Sequence, residues 1–503
     1  MRLALLLAGV SAAGLALPAA AQTAAPPVTA QLPAPTETLR EAMVKAYTTN
    51  PELAAERANL RATDENVPIA RARGLPSAGA QVGYNENVYD TNFNGFSPIR
   101  RATVGVNLSM PVFDGGAVRN SVRAADARVA VGQSNLRTAE ANMFLDVVAA
   151  YMDVIRDEAI VRLNRQNVSV LGVNLRATRD RFEVGDLTRT DVAQSEARLA
   201  LAEGQLRSAE ARLIASRETY VRVVGSEPGV LAPPPPLPAL PADTNAAVTV
   251  ALDENPAIDA ATQSAEAFGY DVRVARSTRS PTVSVGTSGS YFNNLRSGGL
   301  NIGNSGVNPI NDGVSNAATV TLNVPLFQGG EPAARVRQAQ ARQSSALETA
   351  IATERSVIAQ TRSAYANYQS TQRVIESSRV AVSANRLSLE GVRAENSVGT
   401  RTILEILNAE QELLNSQVQL VTAERDAYVA GFILLAAMGR AEAEDLGLDG
   451  GILYNPKTNY ERVRRRWSDW GDGPEPQATA TRTTGVPAQT PQTFGPVDPA
   501  NPR

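Results

Sequence analysis

Pro111-Val112-Phe113-Asp114-Gly115-Gly116 returns 214 residues later as Pro325-Leu326-Phe327-Gln328-Gly329-Gly330. Working outward, the same offset matches Tyr151 with Tyr365, Val184-Gly185 with Val398-Gly399, Thr188 with Thr402 and Gly225 with Gly439. Upstream the offset is 205: Asn50-Pro51 matches Asn255-Pro256, and Pro76 matches Pro281. The nine-residue slip falls between Pro281 and Pro325, an insertion in one loop of the second copy. A unit of roughly 190 residues is too long for a solenoid repeat. The chain reads as one structural unit written twice, at residues 37–227 and 245–440, with a Pro-rich linker at 228–244.

Each copy carries the same order of patterns. Residues 38–73 have a helical spacing of Leu39, Met43, Ala46, Leu53 and Leu60, interrupted at Asn50-Pro51 and ended by Gly74 and Pro76. Two alternating segments follow. In the second, Ala102, Val104, Val106, Leu108 and Met110 share one face, and Thr103, Gly105, Asn107 and Ser109 share the other. The second copy repeats this with Val320, Leu322 and Val324 against Thr319, Thr321 and Asn323. Segments of about 10 residues suit tilted strands across a bilayer. After Gly115-Gly116 comes a proline-free run to Val184, with small and apolar residues at heptad-like steps. A second helix is expected from near Thr188 to Val224.

Composition narrows the function. Residues 1–21 read as a secretory leader: Arg2, an apolar stretch, then Ala19-Ala20-Ala21. Residues 22–36 are a Pro/Ala-rich linker. The chain has no cysteine and no histidine, so the commonest zinc ligand and general base are missing, and no catalytic constellation, metal site or cofactor motif emerges. A net charge of −3 lacks the basic footprint of a nucleic-acid binder. Aromatics make up only 5%, which suits long helices packed through small side chains better than a bulky core. A run of about 70 helical residues spans roughly 105 Å, as would two shorter helices stacked end to end. Four strands cannot close in lipid, whereas three copies would supply twelve.

The duplicated unit, the Pro-x-Phe-x-Gly-Gly motif and the turns Phe182-Glu183-Val184-Gly185 and Ser397-Val398-Gly399-Thr400-Arg401-Thr402 resemble the TolC family of outer-membrane efflux proteins. The resemblance covers residues 37–440. It implies a mainly α fold with a small β part: a homotrimeric α-barrel of long antiparallel helices capped by a twelve-stranded transmembrane β-barrel. It also implies an outer-membrane exit duct with a long periplasmic extension, not an enzyme. The implied partners are a periplasmic adaptor of the membrane-fusion type, an inner-membrane ABC or proton-driven exporter, and outer-membrane lipid. Tyr454-Asn455-Pro456 and the Arg/Trp-rich run that follows are similar to the tail of the type I secretion branch. Residues 441–470 are expected to form a C-terminal equatorial segment, and 471–503, rich in Pro, Thr and Gly, a disordered tail.

Glycines at the turns supply a backbone conformation other residues resist. The resemblance further implies that Val184, Gly185, Asp186, Leu187, Val398, Gly399 and Thr400 dock the adaptor. Asp191 and its mate Glu405 suit a helix start electrostatically. In a trimer each would also form a ring of three. In the family, the Glu405 position lines the closed aperture, and the Thr190 and Asp191 positions bond to neighbouring helices, with the Asn396 and Arg401 positions as partners. Two departures are visible: Asn408 replaces a second acidic ring, and Asn396 stands where an aromatic hydroxyl is familiar. A weaker block by divalent cations is expected. A non-conducting periplasmic coiled-coil spacer or envelope tether is the alternative reading.

Overall fold

The computed structural model describes residues 36–88, 100–295, 311–448 and 453–489. The leader at 1–21, the linker apart from Thr36, most of both strand connections with the inserted loop, and residues 490–503 lie outside the described residues. The first copy runs β1 (Thr36–Glu37), α1 (Leu39–Thr49), α2 (Pro51–Asp64), α3 (Asn66–Ala72), β2 (Ser77–Glu86), β3 (Arg100–Phe113), α4 (Ala117–Glu183) and α5 (Arg189–Val224). After β4 (Val230–Leu231), the second runs α6 (Thr244–Glu254), α7 (Pro256–Ser277), β5 (Thr282–Asn293), β6 (Asp312–Asn323), α8 (Glu331–Ser397) and α9 (Ile403–Ala437). A short α10 (Lys457–Val463) lies beyond.

The Asn-Pro pairs decide how the helices stack. The Asn50 side chain accepts from the amides of Glu52 and Leu53, capping α2, while Pro51 fills its first turn. The same side chain donates to the Val223 carbonyl at the end of α5. Asn255 repeats both acts, capping α7 and donating to the Ala437 carbonyl at 2.8 Å. So α2 stacks on the end of α5, and α7 on the end of α9. The first copy breaks once more, at Glu65, where the sequence pattern predicts continuous helix. Pro68 lacks an amide donor and crowds the carbonyl four residues back. The matching residue in α7 is Arg273, and α7 runs unbroken.

Both long helices have 67 residues, about 100 Å each. The antiparallel pairing is visible in Arg165–Glu210 and Arg179–Glu196 between α4 and α5, and in Arg137–Asp259 between α4 and α7. Arg393–Glu410 ties α8 to α9. Four strips of similar height result: α5 with α2–α3, then α4, then α9 with α7, then α8. The sheet follows the same order, β2-β3-β5-β6, antiparallel throughout.

Its register sorts the side chains. Val82, Val104, Tyr291 and Val314 are aligned across all four strands, as are Ala78, Leu108, Thr287 and Ala318. The neighbouring rows hold Gln81, Gly105, Ser290 and Ser315, and Gly79, Asn107, Ser288 and Ala317. One face is therefore largely apolar and the other small and polar. The apolar face is exposed: Val82 by 81%, Val314 by 71% and Val320 by 73%.

The main core sits midway, where the strips meet end to end. Phe144, Tyr151, Tyr220, Phe432 and Leu435 are fully buried there. The Tyr151 hydroxyl reaches the carbonyls of Glu37 (3.0 Å) and Ala232 (2.6 Å), and its mate Tyr365 donates to the Ala242 carbonyl (2.8 Å). The paired tyrosines thus fasten both ends of the Pro-rich linker. Twenty-three α4 residues are buried but only six of α8, because α8 has neighbours on one side only. Beyond α9, Arg440 grips Glu254 with two hydrogen bonds, and the described tail turns back to α5, where the Gln489 amide meets Glu218.

Candidate functional site at the helix tips

The candidate residues fall on two hairpin ends that the repeat makes nearly identical. At the first, Val184 ends α4 and Gly185 takes φ +84°. The Asp186 amide then bonds back to Arg181 O at 2.9 Å. At the second, Val398 ends α8, Gly399 takes φ +81°, and the Thr400 amide bonds to Glu395 O at 3.0 Å. This left-handed closure satisfies carbonyls the helix leaves open. It also pushes Val184 and Val398 outward, 81% and 74% exposed. Leu187 is half-buried, Thr190 exposed, and Asp186 pairs with Arg181 at 2.7 Å.

Each following helix opens on a capping box. Thr188 and Asp191 exchange side-chain and backbone bonds at the start of α5, and Thr402 and Glu405 do the same at α9. Bonds from the Thr188 hydroxyl and amide hold the Asp191 carboxyl below its ordinary range. The effect on Glu405 is larger. The Thr402 amide (2.8 Å), Arg401 Nη1 (2.6 Å) and the Thr402 hydroxyl (3.0 Å) converge on its carboxylate and pull its pKa down to about 2. Arg401 also holds Glu395 at 2.6 Å, and the two carboxylates push its own pKa up. Asn396 donates to the Arg401 carbonyl at 2.6 Å.

Within one chain, then, Asn396, Arg401 and Glu405 come together at the second tip, while Asp191 bonds to Thr188 at the first. The hairpins are joined instead by Arg198, whose guanidinium donates to Asn408 Oδ1 at 2.7 Å. Sequence reasoning missed Arg198. It also missed Glu410, which is buried and accepts from Arg393 (2.7 Å) and Asn174 (3.2 Å), so that α4, α8 and α9 meet on one carboxylate. The signal was present: Ile406, Leu407, Glu410 and Leu414 form one buried stripe, and an acid in such a stripe needs a partner. Among the described residues no cluster of acids has the makings of a metal site.

The sequence profile described as outer membrane efflux protein matches residues 42–226 and 247–440, the two copies in turn. Outer membrane efflux protein BepC of Brucella suis biovar 1 (strain 1330) is 34% identical over 431 residues, covering 86% of this chain and 91% of that protein. Alkaline protease secretion protein AprF of Pseudomonas aeruginosa is 26% identical over 385 residues, 75% of this chain and 77% of that one. The crystallised transmembrane channel protein CusC shares the fold, with a TM-score of 0.69 at 16% identity over 80% of this chain and 92% of its own.

Proposed function

The chain belongs to the outer membrane efflux protein family, and from that premise we propose that it is a passive exit duct, closed into a trimer and gated at its helix tips. One observation carries this reading. Sheet and helix layer end at the same two places: β2 with the α5/α2–α3 strip on one side, β6 with α8 on the other. An exposed apolar sheet with two open edges is unsustainable in lipid. Joining β6 of one copy to β2 of the next satisfies both edges and gives α8 its missing neighbour, a head-to-tail contact that closes into a ring. Three copies make twelve strands, wide enough for a lumen. A spacer or tether leaves the apolar face uncovered.

The tips Val184-Gly185-Asp186-Leu187 and Val398-Gly399-Thr400 would meet a periplasmic adaptor, which in turn connects an inner-membrane exporter. The names of the relatives include both efflux and protease secretion, consistent with one duct serving either cargo and the exporter selecting it. The test is purification from outer membranes. A heat-modifiable trimer that conducts ions in planar bilayers supports the duct. A monodisperse, non-conducting monomer overturns it. A deletion strain scored for both drug sensitivity and loss of secreted proteins separates the two cargoes.

A further inference from the structure

We infer that the chain holds an anionic phospholipid headgroup beside its barrel, in a pocket lined by four arginines, with its two tryptophans in the segment that follows Arg464. The inference rests on the duct reading, in which the sheet spans the outer membrane.

The segment after α9 makes an excursion that the exit-duct function does not require. The Tyr454 amide bonds to Tyr47, whose ring stacks on Phe144, about 40 Å along α4 from the sheet. The Tyr460 hydroxyl then bonds to Asp126, only about 14 Å along the same helix. Later, Thr481 lies against Gly225 at the end of α5, back at mid-height. The chain therefore climbs toward the sheet and returns. Its apex carries Arg464, Arg465, Arg466, Trp467 and Trp470. The tryptophans are 84% and 94% exposed. Indole is the side chain that favours the headgroup level of a bilayer.

Beside this apex lies a cavity of about 300 Å³ lined by Arg71, Arg119, Arg123 and Arg464, with Asp126 as its one acid. Asp126 already accepts from Tyr460. None of the four guanidiniums has an ion pair among the described residues. Arg464 lies over the Tyr460 ring, and Arg71 donates to the Arg464 carbonyl. Arg119 and Arg123 share one face of α4, within about 10 Å of its start. All four are exposed, and Arg123 also lies 6.0 Å from the Tyr270 ring. Together they concentrate positive charge around one cavity, and a phosphodiester is an anion whose oxygens suit guanidinium donors. The pocket is on the helical side of the sheet, so the headgroup would come from the periplasmic leaflet.

Trp467 and Trp470 are the only tryptophans, so indole fluorescence reports this apex alone. The full chain is reconstituted in vesicles of phosphatidylethanolamine with increasing phosphatidylglycerol, with and without brominated acyl chains, and ion conductance is read in parallel. The expected result is emission shifted to the blue, quenched by brominated lipid, shielded from iodide, and rising with phosphatidylglycerol. Arg119→Gln and Arg123→Gln should each weaken that phosphatidylglycerol dependence about fivefold. Conducting vesicles in which iodide reaches the indoles overturn the inference and leave the duct standing. Indoles shielded from iodide but untouched by brominated lipid also overturn it, because a neighbouring copy then covers them. Vesicles that do not conduct overturn the duct reading and this one together.

Discussion

Glu405 serves two structures with one carboxylate: it completes the cap of α9 and anchors Arg401, which in turn holds Glu395 at the end of α8. Its ionised form is what the cap uses. With the folded pKa near 2 against an ordinary 4.5, the stabilisation is fully present above 4.5 and is lost as pH falls through 2. Amide exchange at residues 402–405, corrected for intrinsic rates, should speed up across that window, and Glu405→Gln should show the faster rate already at neutral pH. Asn408 makes a second prediction. Arg198 places a guanidinium on Asn408, the position to which the family resemblance assigns a second acidic ring. Divalent cations should therefore block the channel weakly, Asn408→Asp with Arg198→Ala should strengthen the block, and single-channel recordings measure both. Strong block of the native channel that Asn408→Ala abolishes contradicts this.

The elements are defined by how they end. An Asn-Pro pair starts α2 and α7 and fastens each to the helix beneath it. Asn255→Ala removes a cap and leaves the Ala437 carbonyl without that donor, a loss of about 1–2 kcal/mol. Thermal unfolding of the purified protein should register it as a lower midpoint. The same logic explains the second break in the first copy, since Pro68 imposes it and Arg273 does not. It also explains why the tips match so closely in the two copies. A left-handed glycine followed three residues later by a capping threonine is a local instruction, and both copies carry it.

At the scale of the molecule, the sheet's two faces meet different surroundings. Ala317 and Ala318 are adjacent in β6 but lie on opposite faces, paired with Ser288 and Thr287. Ala318→Arg sets a charge on the apolar face, about 2–4 kcal/mol unfavourable near mid-bilayer. Ala317→Arg points into the polar side and should be tolerated. The yield of heat-modifiable oligomer in outer-membrane fractions distinguishes the two, and equal yields would contradict a lipid-facing apolar side. The sparse burial of α8 makes the matching argument for the helical layer.

Reading the residues in order was enough for the duplication, the helix and strand periods, the apolar strand face and the tip glycines. Each of these is written in neighbours a few positions apart, where backbone geometry acts directly. The lengths already pointed to two shorter helices stacked to the height of the long one, but not to the bonds that fasten them, Asn50 to Val223 and Asn255 to Ala437, because a pattern records which face is buried but not what buries it. The same limit hid the Arg198–Asn408 bridge, spanning 210 positions, and the climb of the tail to Arg71. Such contacts exist only once the strips are laid side by side, when charges remote in sequence fall within hydrogen-bond reach. Tertiary packing alone made those choices.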